Sequence, residues 1–423
     1  MRHTWAPRAG PHQGGAITTR EELIGALAVA SELEHALAAQ YLFAAYSMKK
    51  RPFEGLTEAQ VELARGWAGV ILAVAREEMG HLATVTNLAT AVGGAPRLDR
   101  PSFPQPAGSY YPEPFEMTLE RFGSASLARF VRFEQPPDVQ SPGERLAPGD
   151  LQFDFLGDLY RQLDQGLVIL ARELGEAALF VGPEKAQDHD DWGHGALVRG
   201  ITDLDSARAA ISDVVEEGEG APGDKERSHW ARLRAVQQDL DRELAADPGF
   251  DPARDVVPNP ATRAFPDAGP GATVLGPGPA LEVAELFNHL YASVLRMIDQ
   301  FYSYGGESPA QREGLQACSR RAMSAILRPL AEVLTELPID DDGRRAGPGF
   351  ETATLLELPT SLAARWAVLD ERLHRAARAC RSLSTEPGLE RLAYIAGNVD
   401  LLLATVRELA VGEGRPERAR PRF

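Results

Sequence analysis

Cysteine is scarce: Cys318 and Cys380 are the two in a chain of 423 residues. Both fall in helical-looking stretches, which speaks for buried thiols in a reducing cytoplasm over a disulfide framework. Positive charge is also short, with 44 Lys and Arg against 61 Asp and Glu and a net charge of −17. A surface of that sign excludes a nonspecific grip on nucleic acid and docking on anionic lipid. No apolar run approaches the roughly 18 residues of a membrane helix. Residues 1–15 lack the apolar core of a signal peptide, so a cytoplasmic protein is expected. Alternating strand patterns are missing, and no internal repeat occurs.

What remains is helical periodicity. Residues 1–17 are rich in Gly, Pro and His and read as an irregular arm. A helix begins after Thr19, with Glu21 and Glu22 in its first turn, and ends before Pro52. Thr57 and Gln60 form a capping-box pattern for a second helix, which runs to about Val92 and stops at Gly93–Gly94. Residues 95–150 are dense in proline and show no sustained period; such a segment reads as a covering loop. Further helices are predicted over 152–180, 206–217 and 224–246. Residues 247–278, rich in Pro and Gly, read as a linker. Helices over 279–303, 309–336, 358–384 and 387–412 form a C-terminal domain. The predicted class is all-α: a bundle over 18–246 and a second helical domain over 279–423.

Charged residues stand where a packed helix should be apolar. Glu34 lies among Ala30, Leu37 and Ala38 on the first helix. Glu78 and His81 stand at i, i+3 on the second, flanked by Ile71, Val74, Leu82 and Val85, so both can reach one metal ion. Glu77 is the competing carboxylate. A helical bundle that binds two metals uses a Glu on each of two helices and Glu-x-x-His on the other two. The first half of that pattern is present in order. For the second half, Asp158 is the candidate on the third helix. Glu216 and Glu219 give an E-x-x-E spacing at the end of the fourth, and Glu226-x-x-His229 follows. If these act together, the site lies near the break between two helices, with His229 folding back towards it. Carboxylates and imidazoles suit two non-haem iron ions; manganese or a mixed iron–manganese pair would use the same ligands. His35 reads as packing or an orienting neighbour, His189 and His194 as a polar loop, and Tyr41, Tyr46, Tyr110 and Tyr111 as core or covering aromatics.

Several segments together resemble one family. They are LEHALAAQYLFAAYS (33–47), AREEMGHLATVTNLATAVGG (75–94), ISDVVEEGEG (211–220) with SHWARL (228–233), FNHLYASVL (287–295) and AGPGFETATLLELP (346–359). The family is the ferritin-like one found in the iminophenyl-pyruvate dimer synthase region of violacein- and rebeccamycin-type chromopyrrolate synthases. The resemblance runs from about residue 18 to 410. It implies a ferritin-like metal bundle with a helical C-terminal region in enzymes of bacterial secondary metabolism. Some members belong to much longer synthases that couple imines derived from aromatic amino acids. By motif position, Glu34, Glu78 and His81 fit well. Asp158 stands where the family often has Glu, and Glu216, Glu219 and His229 match the EGEG…SH element.

The expected function is a di-iron oxidoreductase, an oxidase or oxygenase that takes oxygen or a peroxide and a small amino-acid-derived metabolite. A homo-oligomer is compatible with it. The alternatives are an imine-coupling enzyme and a non-catalytic metal-binding helical scaffold.

Overall fold

The computed structural model describes residues 16–100, 102–106, 116–136, 156–189, 197–218, 226–263, 270–303, 305–352 and 357–412. Over these residues the chain is all-α but for two two-residue strands, β1 (Pro260–Ala261) and β2 (Thr273–Val274), which pair in parallel. The described residues up to Leu275, with Pro338–Gly347, form one compact unit; Gly276–Leu337 and the described residues from Pro348 onward form a second.

The first unit is organised by two long helices. Helix α1 (Arg20–Ser47) starts at a capping box, in which the Thr19 hydroxyl accepts from Glu22 N–H and the Glu22 carboxylate accepts from Thr19 N–H. From Ala30 to Ser47 nearly every side chain is buried, as a central helix requires. Helix α2 (Glu58–Ala91) follows a turn in which Gly55 has φ 89°, and it packs along α1. Its own box joins Thr57 and Gln60.

The other supports of the bundle are broken. Helix α3 (Ser124–Phe133) lies inside the proline-dense stretch that read as a loop. Ten residues are enough to bury Leu127, Phe130 and Phe133, and its partner is distant in sequence. Helix α4 (Leu156–Leu174) ends before the predicted 180, because Gly175 at φ 81° turns the chain into the single turn α5 (Glu176–Leu179). Helix α6 (Leu204–Gly218) and helix α7 (His229–Ala246) follow. Helix α3 packs on α7, α4 on both α1 and α6, and α2 on both α6 and α7.

The expected linker lies on the first unit as far as Leu275. Arg254 pairs with Glu54 at 2.7 Å, Arg121 with Asp251 at 3.0 Å, and the Asn259 side chain accepts from Leu119 N–H at 2.8 Å. Its prolines block helix formation, but Phe250, Ala253, Val256, Val257 and Leu275 between them are buried.

The second unit holds α8 (Pro279–Tyr302), α9 (Pro309–Ala322), α10 (Arg328–Leu334), α11 (Leu362–Leu383) and α12 (Arg391–Ala410). The predicted helix 309–336 is interrupted by a π-helical turn at Met323–Leu327. Pro329 just beyond it supplies no N–H, and a widened turn relieves the clash of its ring with the preceding turn. Cys318 and Cys380 are buried free thiols. Burial pushes them up to about 11 and about 12 respectively. Among the described residues, no helix is long and apolar enough to cross a membrane.

Candidate metal centre

A buried cluster of carboxylates and imidazoles sits where the continuous helices meet the broken ones. Helix α1 contributes Glu34 from its middle, and α2 contributes Glu77, Glu78 and His81. The remaining members stand at helix ends. Glu134 is the C-terminal cap of α3, Glu217 is next to last on α6, and His229 opens α7 behind its Ser228 cap. Glu34, Glu78 and His229 are fully buried, and His81 and Glu134 nearly so.

Glu78 is central. Its Oε2 is 3.2 Å from His81 Nδ1, and its Oε1 is 2.8 Å from His229 Nδ1. His81 Nδ1 also lies 3.6 Å from Glu34 Oε2, and His229 Nδ1 lies 3.5 Å from Glu134 Oε2. The outer nitrogens face other acids: His81 Nε2 is 3.1 Å from Glu217 Oε2, and His229 Nε2 is 2.9 Å from Glu77 Oε2. The imidazoles stack with centroids 5.3 Å apart. Glu78, His81 and His229 bring ligand atoms within 4.8 Å of one another.

Two tyrosines hold the flanking carboxylates. Tyr160 on α4 donates to Glu34 Oε1, and Tyr41 on α1 donates to Glu134 Oε1. Arg232, one turn into α7, donates to both oxygens of Glu77. With one oxygen tied to a phenol, each flanking carboxylate keeps the other for the cluster. Tyr160→Phe and Tyr41→Phe are therefore expected to weaken metal binding about 10-fold while keeping the helical circular dichroism of the parent, as orienting partners do; unchanged affinity in both would refute the role.

The cluster is electrostatically costly as it stands. Burial and the neighbouring Glu78 charge push the Glu34 carboxyl up to about 8, so it is neutral near pH 7. Burial alone would lower both imidazoles, but the Glu78 charge and the surrounding carboxylates carry His81 and His229 well above the usual histidine range. For Glu78, burial and the Glu134 charge act upward, and the two imidazoles more than offset them. Burial likewise opposes ionisation of Glu77, but His229 and Arg232 hold it down at about 2. Even so, Glu34 Oε2, Glu78 Oε1 and both His229 nitrogens make no aligned hydrogen bond despite their close neighbours. Glu134 and Glu217 add negative charge at helix C-termini, where the macrodipole disfavours it. Closely spaced oxygen donors with two imidazoles, several of them short of hydrogen bonds, could hold metal.

Of the residues singled out from sequence, Glu34, Glu78, His81 and His229 come together. Asp158 does not join them. Its side chain is about a third exposed and pairs with Arg161 at 2.6 Å, while Tyr160 takes the inward position. Glu216 points outward and accepts from Ser212. Glu219 and His194 lie outside the described residues, as do Tyr110 and Tyr111. His35 is buried but faces Arg100 and the backbone of Leu98 and Asp99; burial lowers it to about 4. Exposed His189 lies near the Glu184 carbonyl. Glu134 and Glu217 were missed, and both carried a signal. Glu134 continues the spacing of buried Leu127 and Phe130, and Glu217 continues that of Ala207, Ala210 and Val214.

Comparison with known proteins places this geometry among relatives. A ferritin-like family profile matches residues 27–238. Two curated proteins are each 30% identical. One is the 2-imino-3-(indol-3-yl)propanoate dimerase of Chromobacterium violaceum, over 81% of this chain and 34% of its own length. The other is the dichlorochromopyrrolate synthase of Lentzea aerocolonigenes, over 80% of this chain and 36% of its own. The chain thus spans about a third of the length of these relatives. A crystal structure of a ferritin-like protein from Caulobacter vibrioides aligns with a TM-score of 0.51 at 19% identity, over 80% of this chain and all of that one.

Proposed function

The chain belongs to the ferritin-like family, and from that premise we propose a non-haem di-iron oxidoreductase acting on a small, amino-acid-derived metabolite of bacterial secondary metabolism. The observation that carries this reading is the convergence of Glu34, Glu78, His81, Glu134 and His229 in a buried site where Glu34 Oε2, Glu78 Oε1 and both His229 nitrogens lack aligned hydrogen-bond partners. These five residues would hold the ions. When bound, such a pair supplies a Lewis acid and a redox centre for oxygen or peroxide. The protein's own part is positional. Glu78 presents one oxygen to each half of the site, Tyr160 and Tyr41 fix the outer carboxylates, and burial keeps bulk water out. The neutral Glu34 carboxyl and the two protonated imidazoles give up their protons as cations enter, so loading releases acid.

The names of the two curated relatives favour a second reading within the same site, the oxidative coupling of two imines derived from an aromatic amino acid. One experiment separates the readings. Anaerobic protein is loaded with iron(II), assayed for metal, and exposed to oxygen, first alone and then with an enzymatically generated indolyl imine. Two irons per chain and an oxygen-dependent absorption band are expected. A coupled product of twice the imine mass less two hydrogens, its two electrons passing to oxygen, selects the second reading, and an oxidised monomer selects the first. Folded protein that takes up no iron would rule out both.

A further inference from the structure

Each imidazole of the cluster has an inner and an outer nitrogen, and both rings face carboxylates on the two sides. The inner Nδ1 atoms face the shared Glu78, together with Glu34 for His81 and Glu134 for His229. The outer Nε2 atoms each meet a carboxylate on the far side: Glu217 for His81, Glu77 for His229. At His81 the Nε2–H donating to Glu217 fixes the tautomer and leaves the Nδ1 lone pair directed inward; at His229 the outer nitrogen lies 2.9 Å from Glu77 without an aligned hydrogen bond.

The two outer carboxylates differ. Glu77 is held through both oxygens by Arg232. Glu217 is about a quarter exposed, and its one ion-pair neighbour among the described residues is His81. A carboxylate whose charge is compensated by a guanidinium draws less on an imidazole N–H than an uncompensated one. The His81 ring is therefore the more electron-rich donor.

We propose that His81 and His229 bind through Nδ1, that Glu217 and Glu77 are positioning residues on the outer nitrogens, and that Arg232 makes the two metal positions unequal, the His81 position being the tighter. This rests on the two-ion reading above and adds to it an order of filling and a role for Glu217 outside the ligand set.

The test is a titration of metal-free full-length protein with cobalt(II), followed by calorimetry and by the visible absorption that reports the ligand field. The parent is expected to bind two ions in two resolved steps. Glu217→Gln keeps the shape but removes the charge. It should weaken the tighter step about 10-fold or more, shift its visible band, and leave the total at two ions. Arg232→Gln should tighten the weaker step and narrow the gap. Because Arg232 is partly buried, Glu77→Gln serves as a second variant and should weaken the looser step alone. Loss of one whole ion in Glu217→Gln would make Glu217 a ligand and overturn the proposal, as would two steps and a spectrum left unchanged. A parent that binds fewer than two ions would instead remove the premise, so the two failures are distinguishable.

Discussion

Glu78→Ala is expected to lose both metal ions, not one. The carboxylate divides its oxygens between the two imidazoles, at 3.2 Å from His81 and 2.8 Å from His229, and its charge adds to burial in pushing Glu34 up. Among the described residues, no other reaches both halves of the cluster through such short contacts. The loss of affinity should exceed the roughly 10- to 100-fold that an orienting partner carries. Metal per chain, measured after reconstitution and desalting, is the readout, and circular dichroism confirms the fold. Asp158→Asn and Glu216→Gln should load like the parent, because neither side chain reaches the cluster. Full occupancy in Glu78→Ala would refute the assignment.

The second large effect concerns the metal-free protein, whose stability should fall as pH rises from the ordinary Glu34 value of 4.5 towards its folded value of about 8. Glu34 has a folded value of about 8 against an ordinary 4.5. Between those values the folded chain keeps a proton that the unfolded chain has released, so raising the pH favours unfolding. His81 and His229 are shifted upward too. Their contribution is complete below the ordinary histidine value and is lost as pH climbs through their folded values. Glu77 and Glu78, shifted downward, act at the other end: their contribution is present above the ordinary carboxylate value and is lost on acidification through the folded one. Metal would occupy the site with the imidazoles and Glu34 deprotonated, so the loaded protein should be nearly insensitive across this window. The gap in Tm between loaded and metal-free protein should therefore widen with pH, by an amount on the order of 5 °C for a chain of this size. Parallel Tm profiles for the two forms would show that these protons are not linked to the site.

The legibility of this site from sequence follows the continuity of its helices. Where a helix runs unbroken through the centre, period and charge together are informative. Glu34 on α1, and Glu78 with His81 on α2, are polar residues in an apolar phase, and the structure brings them together. Where a support is cut, spacing misleads. The E-x-x-E spacing favoured Glu216 and Glu219, although the apolar phase of α6 passes through Glu217. Glu134 was hidden because proline density around a ten-residue helix masks its period. Asp158 was favoured by its place on the predicted third helix and then by a family position, but the buried face of α4 runs through Leu156, Leu159, Tyr160 and Leu163 and leaves Asp158 at its edge. The class and the helical order were readable because burial periodicity is local. The break points were not, because tertiary packing decides them.

The break between α6 and α7 and the cap of α3 have a mechanical consequence. Glu134, Glu217 and His229 stand at severed ends, where backbone hydrogen bonding is incomplete and fraying is easiest. Glu34, Glu78 and His81 stand in the interior of long helices, where it is hardest. A cation held by Glu134 and His229 together with Glu34, Glu78 and His81, with Glu217 bearing on His81, would fasten loose ends to fixed rods. Its departure would free the ends of α3, α6 and α7 while α1 and α2 keep their shape, so loading, unloading and access to the centre would share one local hinge.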